Sequence, residues 1–329
     1  MGGLALLEGG KGLPGLSEQV FAFRPDVLEG LVQKSSRCLA IGRGPGSLES
    51  GDRGGLQTPV CSLLYTGPMR TLAVLPSRFQ ATRFPGKPLA PIAGRPMIQW
   101  VFEAARRAPG VDRVVVATDD ARIAEAVRGF GGEAVMTDAA LPSGTDRTAA
   151  AMEALGESFD CVLNIQGDEP AMHPETVAAV VALMRDQPDL PMGTAACPFA
   201  SPDELFNPNA VKVVTDDRRR ALYFSRSPIP YLRNSSIFEP DFRPWMKPEQ
   251  LAHFKRHLGL YAYRPDTLKA FTRLAPHPLE QLEMLEQLRA LAAGIPIGVA
   301  DTPYLSLGVD VPGDVPAAEA LLRERGLAR

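Results

Sequence analysis

Arg78, Arg83 and Lys87 lie within ten residues of one another in the stretch "LPSRFQATRFPGKPL" (Leu75 to Leu89), directly after a short apolar run. Pro76 and Pro85 stiffen the loop that carries them. Side-chain cations placed this way neutralise a polyphosphate and stabilise charge that develops when a phosphoryl group is transferred. The plainer reading is a solvated basic turn. Phosphate loops built from backbone amides are excluded here. The stretch holds a single glycine, so it has no GxGxxG, and proline follows its lysine, so it has no GxxxxGK[ST].

Two carboxylates could complete such a site. "NIQGDEP" sets Asp168 just past the apolar run "DCVLNI", and "LSLGVDVPGD" sets Asp310 after a late strand-like run. Mg²⁺ takes one or two carboxylates and fills its remaining positions with phosphate oxygens and water. Aspartate beside glycine or proline is equally ordinary turn chemistry. In "LPSGTDR" (Leu141 to Arg147), Ser143, Gly144 and Thr145 precede a helical stretch. Their hydroxyls and free amides suit a ligand, or simply an N-cap.

Further along, "ALYFSRSPIP" offers Tyr223, Ser225 and Arg226. In "HLGLYAYR", strand alternation puts His257, Gly259, Tyr261 and Tyr263 on one face, either a polar pocket wall or a core containing a satisfied histidine. "PLEQLEMLEQLRAL" reads as one helix. Its buried stripe is Leu279, Leu282, Leu285 and Leu288, and Glu280, Glu283 and Glu286 form its solvated face.

These residues need elements to hold them. From Met69 the pattern alternates: "TLAVLP" and "VDRVVVAT" read as strands, "MIQWVFEAARRA" and "DARIAEAVRGFGG" as helices. The strands "EAVM" and "DCVLNI" then alternate with the helices "TDRTAAAMEALG" and "HPETVAAVVALMRD". The expected fold is α/β, a three-layer α/β/α sandwich around a mainly parallel sheet. Ligands in such folds bind outside the carboxyl ends of the strands, where Arg78 and Asp168 fall.

With 329 residues, 45% of them hydrophobic, the chain can build a large core. Its net charge of -3 gives no reason to expect a nucleic-acid or membrane surface, so the local basic cluster points to a small anion. No apolar run reaches eighteen residues. The four cysteines lack CxxC spacing and read as reduced thiols, which fits the cytoplasm. Residues 1–68 hold 14 of the 30 glycines and differ in character from the rest. They read as a disordered extension, or as an upstream stretch included by a misplaced start codon. Residues 69–329 then form the functional domain.

Nine blocks, from "PSRFQATRFPGKPL" through "VVVATDD", "PSGTDR", "NIQGDEP", "FNPNAVKVV", "ALYFSRSPIP", "HLGLYAY" and "PLEQLEMLEQLR" to "GVDVPGD", occur in the order seen in one family. From Met69 to near the C-terminus the chain resembles the 3-deoxy-manno-octulosonate (Kdo) cytidylyltransferase, or CMP-Kdo synthetase, family. The resemblance implies a nucleotidyltransferase fold of the nucleotide-diphospho-sugar transferase type and a homodimer. It also implies transfer of CMP from CTP to Kdo for lipopolysaccharide synthesis. By motif, Arg78, Arg83 and Lys87 cradle the triphosphate, and Asp168 and Asp310 hold Mg²⁺. Ser143, Gly144, Thr145 and Arg147 lie beside the cytosine and ribose. Gln166, Arg226, His257, Tyr261, Glu280 and Glu283 face the sugar acid. The family usually has a tyrosine near the first arginine and His-Gln before "SGT"; this chain has Phe79 and Gln80, and Leu141-Pro142. A cytidylyltransferase for 8-amino-Kdo or sialic acid, and a non-catalytic nucleotide-binding homologue, are the alternatives.

Overall fold

A strand buried on both faces must carry apolar side chains at successive positions, and "TLAVL" does. The computed structural model describes residues 69–80, 83–233 and 246–328. The extension expected over residues 1–68 lies outside the described residues. In chain order the strands are β1 (Thr71–Ser77), β2 (Pro91–Ile92), β3 (Arg95–Pro96), β4 (Arg113–Thr118), β5 (Ala134–Met136) and β6 (Cys161–Ile165). They continue as β7 (Met192–Pro198), β8 (Lys212–Thr215), β9 (Ala221–Ser225), β10 (Lys255–Tyr263) and β11 (Ile297–Asp301).

Nine strands form one sheet whose main path runs β11-β7-β10-β6-β1-β4-β5. The centre is parallel, with β1 between β4 and β6. β5 extends this parallel set beyond β4, and β11 pairs in parallel with β7. β10 is the exception, lying antiparallel between β6 and β7. From β10 a short antiparallel branch, β8 and β9, leaves the main path. β10 therefore starts at the end of the sheet where β6 finishes, which brings the His257 region to the same rim as Asp168.

Alternation along β1 assigns its side chains to two separate cores. Ala73 and Leu75 pack with Ile98, Val101, Ile123, Val127, Val177 and Val180, from the helices Met97–Arg107, Ala121–Gly129 and Pro174–Asp186. Leu72 and Val74 pack on the other face with Ala151 and Met152 of Gly144–Leu155, and with Leu268, Phe271 and Leu288. Helices thus cover both faces of the sheet, the expected three layers. A third, smaller cluster joins Ile92, Met97 and Trp100 to Ala171, Val309, Ala318 and Leu322. It seats the helix Val315–Glu324 against the rim of the sheet.

One expected helix is two. Pro278–Glu283 and Gln287–Ala292 are separated by Met284, whose φ of 52° is left-handed. Leu285 and Leu288 remain buried, but Leu279 and Leu282 are 40% and 80% exposed, so the four leucines make no single stripe. The sequence concealed the break because Met284 carries none of the usual punctuation of glycine or proline.

Leu75 is fully buried at the centre of the parallel set. Leu75→Ala is expected to lower the free energy of unfolding by about 2–5 kcal/mol, read by urea denaturation. A loss below about 1 kcal/mol would show that β1 is not the packing centre described.

Candidate active site

β1 and β6 are neighbours in parallel, so the loops that follow Ser77 and Ile165 leave the sheet side by side. Gly167 permits their approach: a Cβ there would lie 2.9 Å from Ser77 Oγ and 3.3 Å from the carbonyl oxygen of Pro76. Asp168 comes next, and its carbonyl accepts a 2.9 Å hydrogen bond from the Val309 amide. That bond draws the late loop alongside and delivers Asp310. Asp314 then fixes the turn, its Oδ2 accepting from the amides of Asp310 and Val311 at 2.8 and 3.0 Å.

The basic loop crosses in front of both aspartates. Lys87 Nζ donates to Asp168 Oδ2 at 2.7 Å and to Asp310 Oδ1 at 3.2 Å. Arg83 Nη2 reaches Asp310 Oδ1 at 3.3 Å. Two carboxylates converging on one cation have the donor chemistry that a hard divalent ion uses. Among the described residues no group of three or more His, Cys, Asp or Glu is placed to hold a metal. An ion on Asp168 and Asp310 would therefore draw its other ligands from substrate oxygens and water, so these two residues fit Mg²⁺.

Two cavities open on either side of Asp168. The smaller, about 230 Å³, is lined by Ser77, Arg78, Lys87, Gln166, Gly167 and Asp168, among others. The larger, about 340 Å³, is walled by Glu169, Arg256, His257, Tyr261, Glu286 and Gln287, among others, and Asp310 also borders it. Gln166 and Asp168 belong to both walls. The arrangement can hold an anion on the basic side and a polar molecule on the other, with their reacting ends at one carboxylate.

The expected site residues divide accordingly. Arg78, Lys87, Gln166 and Asp168 line the smaller cavity, where the Arg78 guanidinium donates to the Leu141 carbonyl. Ser143 caps Gly144–Leu155, its Oγ accepting from the Asp146 amide at 3.1 Å. Gly144 brings that helix end to β1: a Cβ there would lie 3.3 Å from Pro76 Cγ. Thr145 Oγ1 donates to Glu286 Oε2 at 2.5 Å, linking this end to the larger cavity. Arg147 is fully buried beside Thr137 and Asp119, with Nε and Nη2 unpartnered, and burial pulls its pKa down. It lines neither cavity.

On the larger side His257 and Tyr261 take their expected places. Arg226, Glu280 and Glu283 stand behind the wall instead. Arg226 donates to the carbonyls of Glu283, Pro208 and Met284 at 2.6, 3.0 and 3.3 Å, holding the Met284 turn. Glu283 accepts from Ser225 Oγ, and Glu280 is paired with Arg289 at 2.5 Å. The helix break at Met284 instead presents Glu286 and Gln287, which the one-helix reading had missed. Arg256 and Glu169 were also passed over, though each adjoins a residue singled out from the sequence. Glu169 Oε2 is buried and unpartnered, and burial pushes its carboxyl up, with Asp168 adding to the shift.

His257 is held neutral. Burial, with the adjacent Arg256, lowers its pKa from 6.5 to about 3, and Thr194 Oγ1 lies 3.0 Å from Nε2. Burial raises Tyr261 and Glu286. The wall of the larger cavity thus sets neutral His257 and Tyr261 among carboxyl groups, with Arg256 as its cation.

The parallel sheet, the basic loop at its rim and the paired aspartates define an α/β nucleotidyltransferase. The sequence matches the Cytidylyltransferase family over residues 72–297. A 3-deoxy-manno-octulosonate cytidylyltransferase of Syntrophotalea carbinolica is 48% identical over 255 residues, covering 78% of this chain and 99% of that protein. Its namesake from Syntrophobacter fumaroxidans is 48% identical over 257 residues, covering 78% and 98%. A solved structure of CMP:2-keto-3-deoxy-manno-octonic acid synthetase complexed with CTP aligns with TM-score 0.69 at 41% identity, over 78% of this chain and 99% of that one. The chain belongs to the 3-deoxy-manno-octulosonate cytidylyltransferase family, as the nine blocks implied.

Unfolding should free His257 to titrate near 6.5 instead of about 3. Between those values the unfolded chain binds the extra proton, so stability falls as the pH drops through that window. His257→Asn should therefore show a shallower loss of unfolding free energy between about pH 7 and about pH 5 than the unsubstituted protein, by urea denaturation. Parallel losses in the two proteins would mean that His257 is not buried as described.

Proposed function

We propose that this protein transfers CMP from CTP to 3-deoxy-manno-octulosonate, releasing pyrophosphate. The observation that carries the reading is the shared wall: Asp168 borders a basic cavity on one side and a polar cavity walled by His257, Tyr261 and Arg256 on the other. The relatives' names and the CTP-bound neighbour support the choice of nucleotide and sugar.

Arg78, Arg83 and Lys87 draw the triphosphate to the loop after β1 and offset its charge. The helix end at Ser143 and Gly144 lies beside the base and ribose, with Arg147 buried behind it. The sugar acid occupies the larger cavity, where Gln166, His257, Tyr261 and Gln287 offer hydrogen bonds and Arg256 offers a cation to its carboxylate. Holding both substrates at Asp168 turns a bimolecular encounter into an aligned one. The anomeric hydroxyl oxygen attacks the α-phosphorus and releases its proton to solvent, and the bond from that phosphorus to the pyrophosphate oxygen breaks in line. Mg²⁺ on Asp168 and Asp310 supplies charge neutralisation to the phosphate oxygens when bound. Uncharged His257 hydrogen-bonds the sugar without adding a second positive charge beside Arg256.

The partner we read for this chain is a second copy of itself, and Leu222, Leu279, Leu282 and Met284 are exposed apolar side chains that such an interface could cover. Among the described residues no helix is long and apolar enough to cross a membrane.

Pyrophosphate release measured across the four nucleoside triphosphates and a panel of sugar acids should be greatest for CTP with 3-deoxy-manno-octulosonate. A preference for sialic acid or an amino-sugar acid would replace the sugar assignment. Asp168→Asn and Asp310→Asn should each lower turnover at least about 10²-fold, on the order of 3 kcal/mol, with unchanged circular dichroism. Retention of half the turnover by either variant would remove that aspartate from the site.

A further inference from the structure

The two aspartates come from loops that no strand pairing joins, and the span between them decides whether one cation can touch both. Behind them, on the side away from the cavities, the same two loops are tied a second time. The Arg325 guanidinium donates through Nη1 to the carbonyl of Ala171, three residues beyond Asp168. Through Nη2 it donates to the carbonyl of Leu305, five residues before Asp310.

A guanidinium suits this task because its donors lie in one rigid plane at fixed separation, so two carbonyls bound to it are held at a set distance. The site is sheltered: Ala171 is fully buried, and burial pulls the Arg325 pKa down. Neighbouring contacts link the same loops. His173 stacks on Tyr304 with ring centroids 3.5 Å apart, and Tyr304 Oη donates to Glu175 Oε2 at 2.6 Å. Arg325 itself is anchored by the helix before it, whose Ala318 and Leu322 pack on Ala171 and Val309.

We propose that Arg325 is a positioning residue for the Asp168–Asp310 pair, its guanidinium clamping the Ala171 and Leu305 carbonyls and so fixing the span across which the two carboxylates share one divalent cation. The inference rests on the reading that these aspartates hold that cation. Outer groups that orient metal ligands typically contribute 10- to 100-fold in affinity. No charge reaches the substrate from Arg325, so its loss acts on the metal and not on the sugar.

The test measures Mn²⁺ binding by electron paramagnetic resonance in the presence of CTP, alongside the Mg²⁺ concentration giving half-maximal pyrophosphate release, on the full chain. Arg325→Met should weaken Mn²⁺ binding about tenfold and raise the half-saturating Mg²⁺ by the same factor, with kcat at saturating Mg²⁺ and KM for the sugar nearly unchanged. Arg325→Lys, whose ammonium lacks the planar fork, should recover only part of the loss. It also carries the test alone should Arg325→Met not fold. Unaltered Mn²⁺ binding in a folded Arg325 variant overturns the proposal, as does a loss confined to kcat. Asp168→Asn and Asp310→Asn serve as the reference. If they leave Mn²⁺ binding intact, the two-aspartate reading fails; if they abolish it while the folded Arg325 variants bind Mn²⁺ as tightly as the unsubstituted protein, only the clamp is wrong.

Discussion

Two carboxylates packed side by side repel one another unless a cation or a retained proton stands between them. Asp168 and Asp310 meet across the Lys87 ammonium, which lies 2.7 Å from one and 3.2 Å from the other. Much of the fold serves that convergence. The parallel pairing of β1 and β6 puts the basic loop beside Asp168. The Val309 amide and the third core cluster bring in Asp310. Because the Lys87 side chain is only 13% exposed, water screens its charge little. The pair thus acts as a local field at the rim of a chain that is nearly neutral overall.

The antiparallel β10 gives the site its second half. An all-parallel sheet would send every strand's carboxyl end to this rim and leave its walls to loops. β10 instead begins here, so Arg256 and His257 come from a strand paired to β7, with Arg256 also paired to β8, and Gly259 sits where the β7 register shifts. Gly259 matters where the strand passes Glu169: a Cβ there would lie 3.0 Å from Glu169 Oε1. A strand-borne polar wall facing a basic loop separates two tasks. One side selects by hydrogen-bond geometry and the other by charge.

Periodicity made the sheet and its two helical layers legible, because buried parallel strands and amphipathic helices leave different repeats. The basic loop and Asp168 were legible too, since strand ends are where α/β sites form; Asp310 was expected after a strand, but the run before it is loop, drawn in by the Val309 amide. The reversal of β10 was not, as a strand's direction leaves no mark in its composition. Nor was the break at Met284, and that one backbone angle decided which acids face the cavity. Glu280 and Glu283 went to structural partners, Arg289 and the Ser225–Arg226 turn, while Glu286 and Gln287 took the wall. Arg226 is expected from the resemblance to face the sugar acid, yet its Nε, Nη1 and Nη2 donate to three backbone carbonyls. Residue type announces what a side chain can bind, and only the packing tells what it does bind.

The seating of Val315–Glu324 against Ala171 and Val309 has a consequence for how the molecule is made. Asp168 and Asp310 are 142 positions apart (310 − 168), and the contacts that join their loops are among the last to become available as the chain leaves the ribosome. Strands β1, β4 and β6 can pair early, since they are close in sequence, but the carboxylate pair must wait for nearly the whole chain. A nascent chain therefore carries one acidic group beside its basic loop for most of its synthesis. A divalent ion held between the two aspartates would have to wait until the Asp310 loop has docked.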